Sequence, residues 1–95
     1  MGGEEVQLAY EKFQHFGLSR TYCVYKQVSD STSSAAALLA GVKTNFGVVG
    51  LSANVTRGQC TYNNKDILDN IIKWAQGGGK STGIVTTAQI TNPTV

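Results

Sequence analysis

A run of helix-forming residues, Ala35-Ala36-Ala37-Leu38-Leu39-Ala40, is bracketed by Asp30-Ser31 on one side and Gly41 on the other. Alanine and leucine favour helix, a polar residue satisfies the orphan N–H groups at a helix start, and glycine is a common stop. This segment commits to a helix, and its neighbours must pack against one. At its start an acid and a hydroxyl stand side by side. Unpaired N–H groups and the positive end of the helix dipole favour negative charge there, phosphate included. The local pattern leaves two readings of Asp30-Ser31 open. One is a plain N-cap; the other is a nucleophile beside a cation ligand.

The flanking segments alternate in type. Residues 6–19 are expected to form a short helix leading into a turn. Thr21-Tyr22-Cys23-Val24-Tyr25 is rich in strand formers, and Phe46-Gly47-Val48-Val49-Gly50-Leu51 predicts a short strand interrupted by glycine. A polar loop runs from Asn54 to Asn64. Over residues 66–75, Ile67, Leu68, Ile71, Ile72 and Ala75 recur at helical spacing, with Asn64 as the expected cap and Gly77 as the stop. Trp74 is read as a packing residue of that helix. Gly83-Ile84-Val85-Thr86-Thr87 then reads as a strand of the kind buried in a parallel sheet. Strand, helix, strand, helix, strand is α/β order.

Composition excludes several classes. Ninety-five residues make at most one small domain, and 41% hydrophobic content argues against disorder. A net charge of +2, with scattered basic residues, does not predict a nucleic-acid partner. No apolar run is long enough to span a bilayer, and residues 1–5 lack the features of a signal peptide. Gly77-Gly78-Gly79-Lys80-Ser81 fails as a phosphate loop: the required first glycine is Trp74, and the loop leaves a helix instead of entering one. His15, the single histidine, is read as a surface residue. Cys23 and Cys60 fit no zinc spacing; they can pair, stay reduced, or bond outside the chain. Asn54-Val55-Thr56 is a glycosylation sequon, whereas proline disqualifies Asn92-Pro93-Thr94.

Several segments in order resemble the animal alkaline phosphatases: Leu18-Ser19-Arg20-Thr21-Tyr22, Val28-Ser29-Asp30-Ser31, Leu39-Ala40-Gly41-Val42-Lys43-Thr44-Asn45-Phe46 and Val49-Gly50-Leu51-Ser52-Ala53. The likeness continues through Gln59-Cys60, Trp74-Ala75 and Gly79-Lys80-Ser81-Thr82-Gly83-Ile84-Val85-Thr86-Thr87. It implies an α/β fold, part of a three-layer sandwich with a mainly parallel sheet. Residues 1–95 would be a partial catalytic domain, truncated at both ends. The implied activity is hydrolysis of phosphate monoesters through a phosphoserine intermediate. The alternative is a truncated, non-catalytic binding or decoy protein.

By the same resemblance Ser31 matches the nucleophile and a zinc contact, Asp30 a zinc ligand, and Thr94 a magnesium ligand. Asn92 stands where the family usually has a metal-site histidine or acid. Two zinc ions and one magnesium ion are the implied cofactors. Cys60 matches a half-cystine with its partner outside the chain, which leaves Cys23 a free thiol. A glycan on Asn54, a glycosylphosphatidylinositol membrane anchor, a homodimer and a cell-surface or extracellular location are further expectations. Ser29 replaces a common proline, Thr32 a glycine or alanine, and Ala36 a threonine; these departures imply weakened site geometry. The remaining metal and phosphate ligands lie outside residues 1–95, so the chain alone is expected neither to bind two zincs tightly nor to turn over substrate.

Overall fold

The computed structural model describes residue 3 and residues 6–93. Helix α1 spans Ser31–Ala40 and is capped by the Asp30 side chain, which accepts the Ser33 N–H. It ends at Gly41, whose φ of 70° is a left-handed conformation that glycine adopts without strain. The expected helix therefore forms, and it reaches back to Ser31. Helix α2 spans Ile71–Gly77, and short 3₁₀ turns occupy Ala9–Lys12 and Asn64–Asp66. The first of these turns is all the helix that residues 6–19 make, held by the Leu8 N–H donating to the Glu11 carboxylate.

The second helix starts later than its apolar periodicity predicts. Asp66 closes the 3₁₀ turn, and Ile67 pairs with Leu51 in an antiparallel bridge. Asn70, not Asn64, is the cap, its side chain accepting the Lys73 N–H at 3.0 Å. Ile67 and Leu68 lie outside α2, where they pair with residues 50–51; Leu68 N–H donates to the Gly50 carbonyl at 2.9 Å. Trp74 is 55% exposed, so the expectation that it is packed fails in this chain. The Gly77–Gly79 run closes α2, as a glycine-rich connection does: Lys80 N–H reaches the Ala75 carbonyl and Gly79 has a φ of 74°.

The larger difference from expectation concerns the sheet. Among the described residues there is no strand, and Thr21–Tyr25, Phe46–Leu51 and Gly83–Thr87 are irregular apart from the bridge at Leu51. A strand exists only through the neighbour that takes its N–H and C=O groups. Here Val24 N–H reaches the Thr44 carbonyl at 3.2 Å, but no ladder extends from it. Val85 is wholly exposed and Ile84 half so, which leaves this apolar segment without a sheet to enter.

Polar ties replace that ladder. Lys43 Nζ donates to the Arg20 carbonyl at 2.8 Å and to the Tyr22 carbonyl, and lies 3.9 Å from the centre of the Tyr22 ring. Lys26 Nζ sits 4.0 Å from the centre of the Phe46 ring. Buried Asn45 donates to the carbonyls of Ala53 and Val55 at 2.9 and 2.8 Å. Buried Asp66 accepts from Ser52 Oγ, Asn54 Nδ2 and the Asn63 N–H at 3.0–3.1 Å. The apolar core is small: Cys23, Ala35, Ala36, Val48 and Val55. The radius of gyration is 16.8 Å, against roughly 12–13 Å for a compact domain of this length.

The hydrogen bonds from Asn54, Asn63 and Ser52 hold the Asp66 carboxyl below its ordinary 3.8. A depressed carboxylate stabilises the fold above its unfolded-state value, and that stabilisation is lost as pH falls through the lower folded-state value. Asp66→Asn is expected to lower the thermal midpoint at pH 7. Its deficit against the parent should shrink as pH falls below 3.8; a deficit that does not change with pH would show that the charge is not involved.

Candidate active site

Asp30 and Ser31 sit at the entrance to α1 and face different tasks. The Asp30 carboxylate is turned inward and takes four donors. Its Oδ1 accepts the Ser33 N–H at 3.1 Å and the Ser33 hydroxyl at 2.5 Å; Oδ2 accepts the Thr32 hydroxyl at 2.5 Å and the Gly47 N–H at 3.0 Å. Burial opposes the charge, yet the hydrogen bonds from Ser33, Thr32 and Gly47 outweigh it and hold the carboxyl far below the usual carboxylate range. Asp30 is therefore an ionised cap that also ties α1 to the loop at Gly47.

Ser31 is the first residue of α1 and is exposed. Its hydroxyl makes no hydrogen bond among the described residues, while the hydroxyls on both sides are engaged. The Ser29 and Ser34 hydroxyls lie 2.9 Å apart, linking the residue before Asp30 to the first turn of α1. One hydroxyl is left free on a fixed backbone. Beside it, a groove of about 290 Å³ is lined by Thr32 and Ala36 of α1, by Leu68 and Asn70, and by Asn92 and Pro93. Residues 91–93 thus share this groove with α1.

The donor set bears unequally on the expected metal roles. A carboxylate offers about four lone-pair positions, and the four donors on Asp30 account for all of them. A cation reaches Asp30 only by displacing one of these donors, whereas the Ser31 oxygen is available as it stands. Among the described residues no group of three His, Cys, Asp or Glu side chains is placed to hold a metal. Thr94 lies outside the described residues. Cys23 is a buried free thiol and Cys60 an exposed one. His15 is exposed. Asn54 is exposed at a turn, with its amide nitrogen on Asp66.

Gly47 was not singled out by sequence pattern. Its φ of 74° favours glycine, and an added Cβ would also have to push aside the Arg57 side chain, whose Cδ would lie 2.7 Å away. Gly47→Ala is expected to cost about 1–2 kcal/mol through left-handed strain, and Asp30→Ala about 1 kcal/mol through loss of the cap. Because the two residues share a hydrogen bond, chemical denaturation of the double variant should show less than the summed loss. Strict additivity would show that the two ends are not coupled.

Comparison with known proteins places the sequence in a family. A family model described as "Alkaline phosphatase" matches residues 1–95. The tissue-nonspecific alkaline phosphatase isozyme of Gallus gallus is 45% identical over 92 residues, covering 97% of this chain, and the Homo sapiens isozyme is 44% identical over the same length. A membrane-bound alkaline phosphatase of Bombyx mori is 44% identical over 93 residues, covering 95% of this chain. The chain spans only 17–18% of the length of these relatives. With the family's model matching from end to end, the chain belongs to the alkaline phosphatase family.

Proposed function

We propose that the protein carrying this chain hydrolyses phosphate monoesters through a phosphoserine intermediate on Ser31. The observation that supports this most is the exposed Ser31 hydroxyl, unbonded among the described residues, on the first residue of a capped helix in an alkaline phosphatase chain. The Ser31 oxygen attacks phosphorus, and the ester oxygen departs with its alcohol. Water then attacks the phosphoserine, releasing inorganic phosphate and regenerating the hydroxyl. Asp30 has taken the Ser33 N–H, so the earlier N–H groups of α1, at Ser31 and Thr32, are the ones left for phosphate oxygens.

The family membership favours metal cofactors, and we assign two zinc ions and one magnesium ion to the whole protein. When bound, such ions lower the proton affinity of a serine oxygen and offset charge on the transferring phosphoryl group. From this chain Ser31 would supply a zinc contact and Thr94 a magnesium contact. Asp30 joins the zinc ligands only if the ion displaces the Thr32 or Ser33 hydroxyl. In the whole protein the three irregular apolar segments would find partners in a three-layer sandwich with a mainly parallel sheet. Cys60 would pair with a cysteine outside the chain. A homodimer held at the cell surface by a glycosylphosphatidylinositol anchor completes the proposal; the Bombyx mori relative is itself named as membrane-bound.

Ser31→Ala is expected to abolish turnover of an aryl phosphate, with at least a thousandfold loss of kcat on the order seen when a nucleophile is removed. Acid trapping of the unsubstituted protein with substrate should leave phosphate on Ser31, detected by peptide mass spectrometry. Full activity in Ser31→Ala would overturn the reading. For Asn54, enzymatic removal of N-glycans should shift the mass of the secreted protein, and Asn54→Gln should abolish the part of that shift belonging to this site; identical shifts would exclude the glycan.

A further inference from the structure

Resting on the reading of Ser31 as the reacting group, we propose that Thr32 and Ser33 are positioning residues whose hydroxyls act on Ser31 through the Asp30 carboxylate. Both hydroxyls donate to that carboxylate at 2.5 Å, one to each oxygen. Hydrogen bonds from a hydroxyl to an ionised oxygen are short and about twice as strong as neutral ones. Together they fix the rotamer of Asp30. Ser33 closes a second link, because its oxygen also accepts the Asp30 N–H at 3.2 Å. With the rotamer fixed, Oδ2 faces the Gly47 N–H, and the loop at Gly47 becomes a strut against the start of α1.

Ser31 lies between the two clamped residues. Its backbone has little freedom to rotate, while its own hydroxyl stays unbonded among the described residues. That is preorganisation: the origin of the reacting oxygen is set before substrate arrives, and misplacement by about 1 Å can cost a hundredfold in rate. A second consequence concerns metals. With two hydroxyls and two N–H groups on it, Asp30 offers an ion no lone pair unless one of these donors is displaced, so in this arrangement its work is to position the serine. In this chain Thr32 occupies a place where a side chain without a hydroxyl could not do this.

The test uses the protein expressed from its full reading frame, loaded with zinc and magnesium. Thr32→Val removes the donor at nearly constant volume, and Thr32→Ser restores it. In Thr32→Val, exchange of the Gly47 amide hydrogen should quicken by about tenfold and kcat should fall by about tenfold with KM unchanged. Thr32→Ser should recover both, and zinc per chain should be the same in all three proteins. If Thr32→Val fails to fold, Ser33→Ala removes the other donor and carries the same expectations. Unchanged Gly47 exchange or unchanged kcat would overturn the clamp, as would loss of zinc in Asp30→Asn. A fully active Ser31→Ala would instead defeat the nucleophile assignment, while Gly47 exchange would still report whether the clamp exists.

Discussion

The Asp30 carboxylate gathers the start of α1 and the Gly47 loop onto one charged group, and the surrounding structure is built the same way. Buried polar atoms are costly unless they are bonded, so each one that is bonded dictates which segments lie together. Asn45 brings residues 53–55 to the end of the α1 loop, and Asp66 draws Ser52, Asn54 and Asn63 around itself. The five buried apolar side chains are too few to impose that arrangement. Meanwhile Phe16, Leu18, Leu38 and Val85 are largely or wholly exposed. So many exposed apolar side chains are in keeping with a chain that spans 18% of the length of its relatives.

Local and non-local features were not equally legible in the sequence. α1 was readable because its determinants are contiguous: a polar cap, an alanine-leucine run and a glycine stop all fall within a dozen residues. α2 was half readable. Its apolar spacing extends back to Ile67, but Leu51 competes for that residue across a long loop, and periodicity carries no information about such a rival. The three apolar strand candidates have the right composition and still remain irregular. Their propensity describes how well they would sit in a half-buried pleated surface, and no such surface is present among the described residues.

The site shows the same division at smaller scale. Asp30 and Ser31 were visible as a pair, and the capping alternative proved true of Asp30. Their ordering was hidden: which of the two keeps a free oxygen depends on donors from Thr32, Ser33 and Gly47. Thr32 and Ser33 sit at the first helical turn, where hydroxyl residues return to the cap, so a careful reading of the Asp30-x-x-Ser33 spacing contains part of the answer. Gly47 is seventeen residues away and leaves no local signature, because its donor is a backbone N–H that every residue but proline has.

The departures from the family's pattern at Ser29 and Thr32 then take on a physical sense opposite to the one their sizes suggest. A proline before the aspartate would limit the backbone by locking its own φ and restricting the preceding residue. Serine lacks that restriction, but its hydroxyl lies 2.9 Å from that of Ser34 and ties the same residue to the first turn of α1. A glycine or alanine at position 32 would leave Oδ2 of Asp30 with the Gly47 N–H alone; threonine adds the short bond. Substitutions that look like loosening exchange covalent or steric restriction for hydrogen bonds. Such bonds hold a turn only while their acceptor stays ionised, and the environment that lowers the Asp30 carboxyl keeps it so.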